Sequence, residues 1–109
     1  MASGANGQSF AFKGYLPSEK DGRIQALKAL EQHSRKHGET QIFIETPYRN
    51  DALLADAVGQ LHPATRLCVA CDLTLPTQTI ISKAVADWRK LKEMPNLKKR
   101  PAIFVLYAA

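Results

Sequence analysis

The sequence predicts an α/β domain with a mixed, mostly buried sheet of about five strands flanked by helices. Apolar runs of strand length alternate with segments of helical periodicity over 109 residues, a common size for one domain. Hydrophobic residues make up 45% of the chain and charged residues 23%, which is the balance of a globular protein. No apolar run approaches the roughly 18 residues of a membrane span, so we expect no membrane contact. Two cysteines and the lack of a signal-peptide pattern lead us to expect a cytoplasmic protein.

The first half of the chain predicts a strand, a helix and a second strand. Residues 9–16 carry spaced aromatic side chains and read as a strand that ends in a loop. Asp21 is the predicted N-cap of a helix that runs to His37, and Gly38 suits the left-handed turn that ends it. The segment 41–45 contains a short apolar run rich in β-branched side chains, which favours a buried strand.

The second half predicts one long helix and three more strands. Asn50 is the predicted N-cap of the helix, which carries its leucines on one face. Strands are predicted at 66–72, 79–85 and 102–107, with a short helix or turn around Trp88. Because no helical pattern separates the strands at 66–72 and 79–85, we expect them to pair antiparallel, which makes the sheet mixed.

A CxxC pair lies within one of the predicted strands. Three residues along a strand separate two side chains by about 10 Å and place them on opposite faces, whereas a disulfide needs Cα atoms within about 7 Å. No second cysteine or histidine pair completes a zinc site. We therefore interpret Cys68 and Cys71 as small core residues and predict no metal site.

Two polar segments follow predicted strands and are candidate sites. Residues 45–49 place an acid, a hydroxyl and an arginine between a strand end and a helix start, where α/β sheets bind ligands. The alternative is that Glu45 and Arg49 only pair with each other and brace the turn. Residues 72–79 form a threonine-rich connection, for which an ordinary capped loop is the alternative.

The positive charge of the chain is concentrated near its C-terminal end. Residues 1–82 hold eight basic and eight acidic residues, whereas 83–109 hold seven basic and two acidic ones, which accounts for the net charge of +5. A basic surface over 83–100 is typical of an anion- or RNA-binding module, and Trp88 is then a candidate for base stacking. The alternatives are a solvated helix and loop with Trp88 in the core.

Three segments in succession resemble the C-terminal half of the tetrapyrrole (corrin/porphyrin) methylases. They are ASG at 2–4, FAFKGYLP at 10–17 and IETPYR at 44–49, and Asp72-Leu73-Thr74 is similar to an E-L-T segment of that family. The resemblance is nearest to the branch that methylates the ribose 2′-oxygen of ribosomal small-subunit RNA. Leu75 stands where that branch has a basic residue, a departure that concerns the contact with RNA.

The resemblance implies a methyltransferase that uses S-adenosyl-L-methionine (SAM), bound in a cleft between two domains. The positions that match its cofactor-binding wall are Glu45, Thr46, Val69, Ala70 and Ala102. The positions that match its substrate side are Arg49 and Thr74, and no catalytic base is assigned in this half.

The resemblance also implies how the chain is organised. Residues 1–8 would be the remnant of an interdomain connection and 9–109 a single α/β domain, with the N-terminal domain that carries the SAM loops absent. We then expect this segment alone to be inactive and the protein to form a homodimer, as its relatives do. RNA, a tetrapyrrole and a smaller molecule are left open as the methyl acceptor. A stand-alone anion- or RNA-binding module and a purely structural dimerisation domain are the other functions that we weigh.

Overall fold

The described part of the chain folds into one five-stranded sheet with three helices, as seen in a computed structural model. The structure describes residues 10–72, 75, 76, 78–95, 97 and 100–108. In chain order the elements are β1 (Phe10–Tyr15), α1 (Lys20–His37), β2 (Thr40–Ile44), α2 (Asn50–Gln60), β3 (Arg66–Cys71), β4 (Thr79–Ala84), α3 (Val85–Arg89) and β5 (Ala102–Tyr107). The predicted mixed α/β sheet of five strands is confirmed.

The strand order is β1-β2-β5-β3-β4, and only β1 and β2 are parallel neighbours. β5 runs antiparallel to both β2 and β3, and β4 pairs antiparallel with β3 as predicted. It follows that β1, β2 and β3 point the same way and end at the same end of the sheet, which we call the site end. Gly14 lies where the register of β1 shifts. Its φ of 67° is a left-handed conformation that glycine adopts at little energetic cost.

Two predicted helix caps are wrong, and one predicted helix end is confirmed. Helix α1 begins two residues earlier than expected, with Glu19 rather than Asp21 at the N-cap position. Asn50 is the first residue of α2, and its amide donates to the carbonyl oxygens of Leu97 and Arg100 instead of capping the helix. Gly38 ends α1 in the left-handed conformation, and its N–H donates to Ser34.

The helices pack on one face of the sheet, which we call the core face. Trp88 of α3 is fully buried there, and its indole Nε1 donates to the carbonyl oxygen of Leu67 at 2.8 Å. The rings of Phe43 and Phe104 stack with their centroids 5.6 Å apart. Trp88 is therefore a core residue. The sheet residues of the core face are Gln41, Phe43, Leu67, Val69, Phe104 and Leu106.

The opposite face of the sheet, which we call the open face, carries the alternate strand residues. None of its members belongs to the hydrophobic core cluster that the helices share with the core face. One row across all five strands is Phe12, Ile42, Val105, Cys68 and Ser82. The next row, nearer the site end, is Tyr15, Ile44, Ile103, Ala70 and Ile80.

Buried polar contacts connect the two long helices to each other and to the loop after α2. Arg23 of α1 donates to Asp56 of α2 from Nε at 2.7 Å and from Nη2 at 2.6 Å. The buried carboxylate of Glu31 accepts from the His62 N–H and from the Thr65 hydroxyl. These bonds cross more than 30 positions of sequence and fix the helix layer against the sheet. Among the described residues, no helix is long and apolar enough to cross a membrane.

The two cysteines are free and buried, and they lie on opposite faces of β3 as the strand alternation predicts. Cys71 belongs to the core cluster, whereas Cys68 belongs to the open face. Burial raises the pKa of the Cys68 thiol, an effect only partly offset by the nearby Arg66 charge. The CxxC spacing therefore produces no disulfide in this fold.

We expect both thiols to react slowly with a thiol reagent such as DTNB at mildly alkaline pH. The native rates should be at least about 100-fold below those of the unfolded chain, because burial restricts access and the raised pKa of Cys68 lowers its thiolate fraction. The same protein in concentrated guanidinium chloride provides the control, where two thiols per chain should react at once. Fast reaction of either thiol in the folded protein would contradict the buried placement.

Candidate functional site

The ends of three strands and the start of β5 surround a cavity at the site end. β1, β2 and β3 end there, while β5 begins there in the opposite direction. The cavity has a volume of about 360 Å³ and lies at the corner between the site end and the open face. Its lining comprises Tyr15, Ile44, Glu45, Pro47, Ala70, Asp72, Leu75, Pro101, Ala102 and Ile103. Apolar walls with two carboxylates form the kind of pocket that holds a small organic ligand.

Glu45, the residue directly after β2, is the most unusual group in this cavity. Its side chain is 1% exposed, and its Oε1 accepts from the Thr46 N–H at 2.7 Å. Arg49 Nη1 lies 3.7 Å from the same oxygen, but the Arg49 side chain is 49% exposed. Among the residues that the structure describes, Oε2 has no hydrogen-bond partner. A buried carboxylate oxygen without a partner is costly, so this arrangement leaves one acceptor for a ligand.

The alternative interpretation of Glu45 and Arg49 is that they pair with each other and brace the turn. The structure supports this interpretation only in part. The ion pair exists at 3.7 Å, but its Arg49 partner is half exposed, so solvent screens the attraction to the buried carboxylate. The backbone supplies the turn independently, since the Arg49 N–H donates to the Thr46 carbonyl oxygen at 2.9 Å. Neither contact involves Oε2 of Glu45. The pair therefore does not explain why this oxygen is buried.

Asp72 forms the opposite wall of the cavity, directly after β3. Its backbone has φ of 53°, a left-handed conformation that few non-glycine residues adopt. Its carboxylate accepts from Arg100 Nε at 2.7 Å, and Arg100 also donates to the Thr79 hydroxyl at 3.1 Å. The hydrogen bond to Asp72 raises the pKa of Arg100. This network ties the end of β3 to the segment before β5 and fixes the cavity wall.

The structure brings together three of the five positions predicted to bind the cofactor. Glu45, Ala70 and Ala102 all line the cavity. Thr46 and Val69 are not among its lining residues: Thr46 contributes its N–H to Glu45, and Val69 lies on the core face. The roles of all five positions stay predictions.

Of the two positions predicted to contact the substrate, the structure describes one. Arg49 is exposed at the N-cap position of α2, next to the cavity wall. Thr74 lies outside the residues that the structure describes, as do residues 1–8 and the ASG segment. The role of Arg49 stays a prediction as well.

Two arginines of the basic segment 83–100 bond to the protein itself. Arg89 donates from Nε to the Val58 carbonyl oxygen at 2.8 Å and from Nη2 to that of Leu61 at 2.6 Å, which satisfies the C-terminal end of α2. Arg100 is engaged by Asp72. Lys98 and Lys99 lie outside the described residues. In the described part of this segment, two of the cations therefore form bonds within the protein and stabilise the fold.

The sequence did not identify several of the cavity residues as members of the site. Tyr15, Ile44 and Ile103 share one row of the open face, and only the strand register brings them together. Asp72, by contrast, belongs to the candidate segment 72–79, since it follows a strand in the same manner as Glu45. Arg100 had no signal in the sequence, because its partner lies 28 positions away. Among the described residues, no group of His, Cys, Asp and Glu is arranged to hold a metal ion.

Comparison with known proteins finds relatives along nearly the whole chain. The chain is 31% identical over 106 residues to "Ribosomal RNA small subunit methyltransferase I" of Pasteurella multocida (strain Pm70). It is 32% identical over 108 residues to the protein of that name from Escherichia coli O157:H7. Each alignment covers 96% of this chain but only 36% of the relative, so the chain spans about a third of their length. No protein-family model matches the chain.

A solved structure is similar in fold. The crystal structure of the methyltransferase CobJ superimposes with a TM-score of 0.57 and covers 99% of this chain and 50% of that chain. The sequence identity is 15%, so this likeness concerns the fold alone. The similarity in sequence and the similarity in fold each extend over nearly the whole chain.

Proposed function

This chain is a tetrapyrrole methylase-like domain, and from that premise we propose that it forms one wall of the SAM site of a methyltransferase. The other wall is a second α/β domain that carries the glycine-rich SAM loops, and residues 1–8 belong to the connection between the two. The free oxygen of Glu45, buried at the cavity, is the observation that carries the proposal. The chain without that second domain is then inactive.

The cavity residues fit the chemistry of such a ligand. Apolar walls from Ile44 and Ile103 suit the flat face of an adenine, and the small side chains of Ala70 and Ala102 let a ring approach the backbone closely. Oε2 of Glu45 accepts a hydrogen bond, and SAM offers N–H and O–H donors. The carboxylates of Glu45 and Asp72 also suit a ligand that carries positive charge.

Methyl transfer requires little of this wall beyond accurate positioning. When bound, SAM would supply an electrophilic methyl group for in-line transfer to an acceptor, and its demethylated thioether would be the leaving group. Glu45 holds the ligand through its free oxygen, while the Asp72–Arg100 ion pair keeps the opposite wall in place. Positioning of two reactants can supply about 7–11 kcal/mol of the barrier, so this wall needs no catalytic base of its own.

We propose RNA as the methyl acceptor, because the relatives described above are named for ribosomal RNA. Arg49, exposed beside the cavity, is a suitable contact for a phosphate of that acceptor. Self-association and a cytoplasmic location, where ribosomal RNA is met, belong to the same proposal.

Calorimetric titration of SAM and of its demethylated product tests the proposal on three samples. They are this chain, the E. coli O157:H7 relative, and a chimera in which this chain replaces the matching third of that relative. We expect micromolar binding by the relative and the chimera and no binding by this chain, because half of the site is missing. A folded chimera that binds neither compound would overturn the methyltransferase assignment. Binding by this chain alone would overturn the two-wall arrangement.

A further inference from the structure

Tyr48 is 80% exposed, the highest value among the large apolar and aromatic residues that the structure describes. It lies in the connection between β2 and α2. Its neighbours in the chain are Pro47, which lines the cavity, and Arg49, whose side chain is 49% exposed. A single exposed aromatic ring needs no explanation by itself. A ring next to both a ligand cavity and an exposed arginine is the combination that binds nucleic acid bases.

The backbone holds Tyr48 at the tip of a tight turn. The Arg49 N–H donates to the carbonyl oxygen of Thr46 at 2.9 Å, which makes Pro47 and Tyr48 the two central residues. Proline is favoured at the first of these positions because its ring fixes φ. The Thr46 N–H in turn donates to the buried Glu45 side chain at 2.7 Å. A residue positioned in this way loses little conformational freedom when a ligand stacks on it.

A second exposed aromatic residue, Tyr15, lies at the same end of the sheet. It is 64% exposed and lines the cavity. Tyr15 is the last residue of β1 and pairs in register with Ile44, the last residue of β2, which Tyr48 follows by four positions. Two exposed tyrosines and one exposed arginine therefore follow neighbouring strands at the site end.

The basic segment 83–100 does not offer this combination in its described part. Trp88 is fully buried, so no base can stack on it. Arg89 and Arg100 are bonded to groups of the protein itself. Binding of single-stranded nucleic acid needs an aromatic ring for the base and a cation for the phosphate, and Tyr48 and Arg49 supply both at adjacent positions.

We propose that Tyr48 is a stacking platform for one unpaired base of the RNA acceptor, with Arg49 in contact with a neighbouring phosphate. The inference rests on the proposed function in one respect, that the acceptor is RNA, and it specifies the class of substrate as a single-stranded or locally unpaired nucleotide. A base within a duplex is already stacked on its neighbours and does not cover a protein ring in this way. A base on Tyr48 lies next to Pro47 and therefore beside the cavity.

Fluorescence anisotropy with a labelled single-stranded RNA of about eight nucleotides tests this platform. The RNA is titrated with the 109-residue chain and with the chimera described above, since both contain the turn. We expect both proteins to bind it, with a dissociation constant of about 10–100 μM for the chain alone. A duplex RNA of the same sequence should bind at least about tenfold more weakly.

Tyr48→Ala is expected to weaken single-stranded RNA binding by about 5- to 100-fold, the usual loss when one stacked base loses its aromatic partner. Tyr48→Phe retains the ring and should stay within about twofold of the unsubstituted protein. Phe10→Ala is the matched control, because Phe10 is 59% exposed but begins β1 at the opposite end of the sheet. It should leave RNA affinity unchanged.

The salt dependence of binding separates stacking from attraction between charges. Arg49→Ala should lower the slope of log affinity against log salt concentration by about 0.7, because one phosphate contact is lost. Tyr48→Ala should leave that slope unchanged while it lowers the affinity at every salt concentration. Far-UV circular dichroism and a thermal melt verify that each variant is folded, and Tyr48→Ser provides a second substitution at the same position.

Three results would overturn the inference: no binding of single-stranded RNA by either protein, equal binding of the duplex, or RNA affinity that Tyr48→Ala and Tyr48→Ser leave unchanged. Calorimetric titration of SAM into the same chimera separates this failure from that of the proposed function. A chimera that binds SAM but no RNA rejects the stacking platform alone and assigns the exposed ring to a contact with the second domain. A folded chimera that binds RNA through Tyr48 but no SAM supports the platform and rejects the methyltransferase.

Discussion

Replacement of Trp88 by alanine is expected to lower the free energy of unfolding by about 3–5 kcal/mol. The Trp88 side chain is completely buried between α3 and the core face, and its removal leaves a cavity that the surrounding leucines cannot fill. The substitution also leaves the carbonyl oxygen of Leu67 without its indole donor. Because a domain of this size is stable by only about 5–15 kcal/mol, the variant should be partly unfolded at moderate temperature.

Urea unfolding followed by far-UV circular dichroism measures this loss. Fluorescence is unsuitable for the variants because Trp88 is the single tryptophan of the chain. Trp88→Phe is the matched control: it retains most of the buried ring and loses mainly the hydrogen bond, so its cost should be nearer 1–3 kcal/mol. A loss below about 1 kcal/mol in the alanine variant would mean that α3 does not pack on the sheet as described.

The strands of this fold could be predicted well from local pattern alone. β5 was predicted at 102–107 and is observed at Ala102–Tyr107, since a continuous apolar run bounded by Pro101 permits few other interpretations. β3 and β4 each end one residue before the predicted boundary. Strand periodicity is a local property, so one sequence is enough to identify it.

The helix N-caps could not be predicted, because a capping residue can find a better partner elsewhere. Asn50 has the side chain of a good N-cap, yet its amide donates at 2.6 Å to the carbonyl oxygen of Arg100, 50 positions away. Asp51 likewise accepts from the Leu97 N–H. These bonds anchor the segment before β5 to the start of α2, and tertiary contacts of this kind leave no periodic signal in the sequence.

The candidate site could be predicted at positions that both match the family resemblance and lie at the end of a predicted strand. Glu45 was identified from its position at a strand end, and the structure places it in the cavity wall. Ala70 and Val69 were predicted together, but successive strand residues face opposite sides, so only the register shows that Ala70 reaches the cavity. Asp72 and Arg100 became visible as a pair only once β3 and β5 were adjacent.

Glu45→Gln in the chimera is expected to weaken SAM binding by about 10- to 100-fold, the usual cost of losing a hydrogen bond to a charged group. The glutamine retains an oxygen that accepts from the Thr46 N–H, so the turn should persist. Its amide nitrogen then occupies the place of the free Oε2, where a donor faces the donor of the ligand. Calorimetric titration of SAM measures the change directly.

Glu39→Gln is the matched control, because Glu39 immediately precedes β2 and Glu45 immediately follows it. The Glu39 carboxylate accepts from the side chains of Gln41 and His33 at the end of the sheet away from the cavity, and the first of these bonds is the main reason that the pKa of Glu39 is lowered. Its substitution should leave SAM affinity unchanged. Equal SAM affinity in both variants and in the unsubstituted chimera would remove Glu45 from the ligand contacts while leaving the methyltransferase proposal intact. Absence of binding in all three would instead reject the proposal itself.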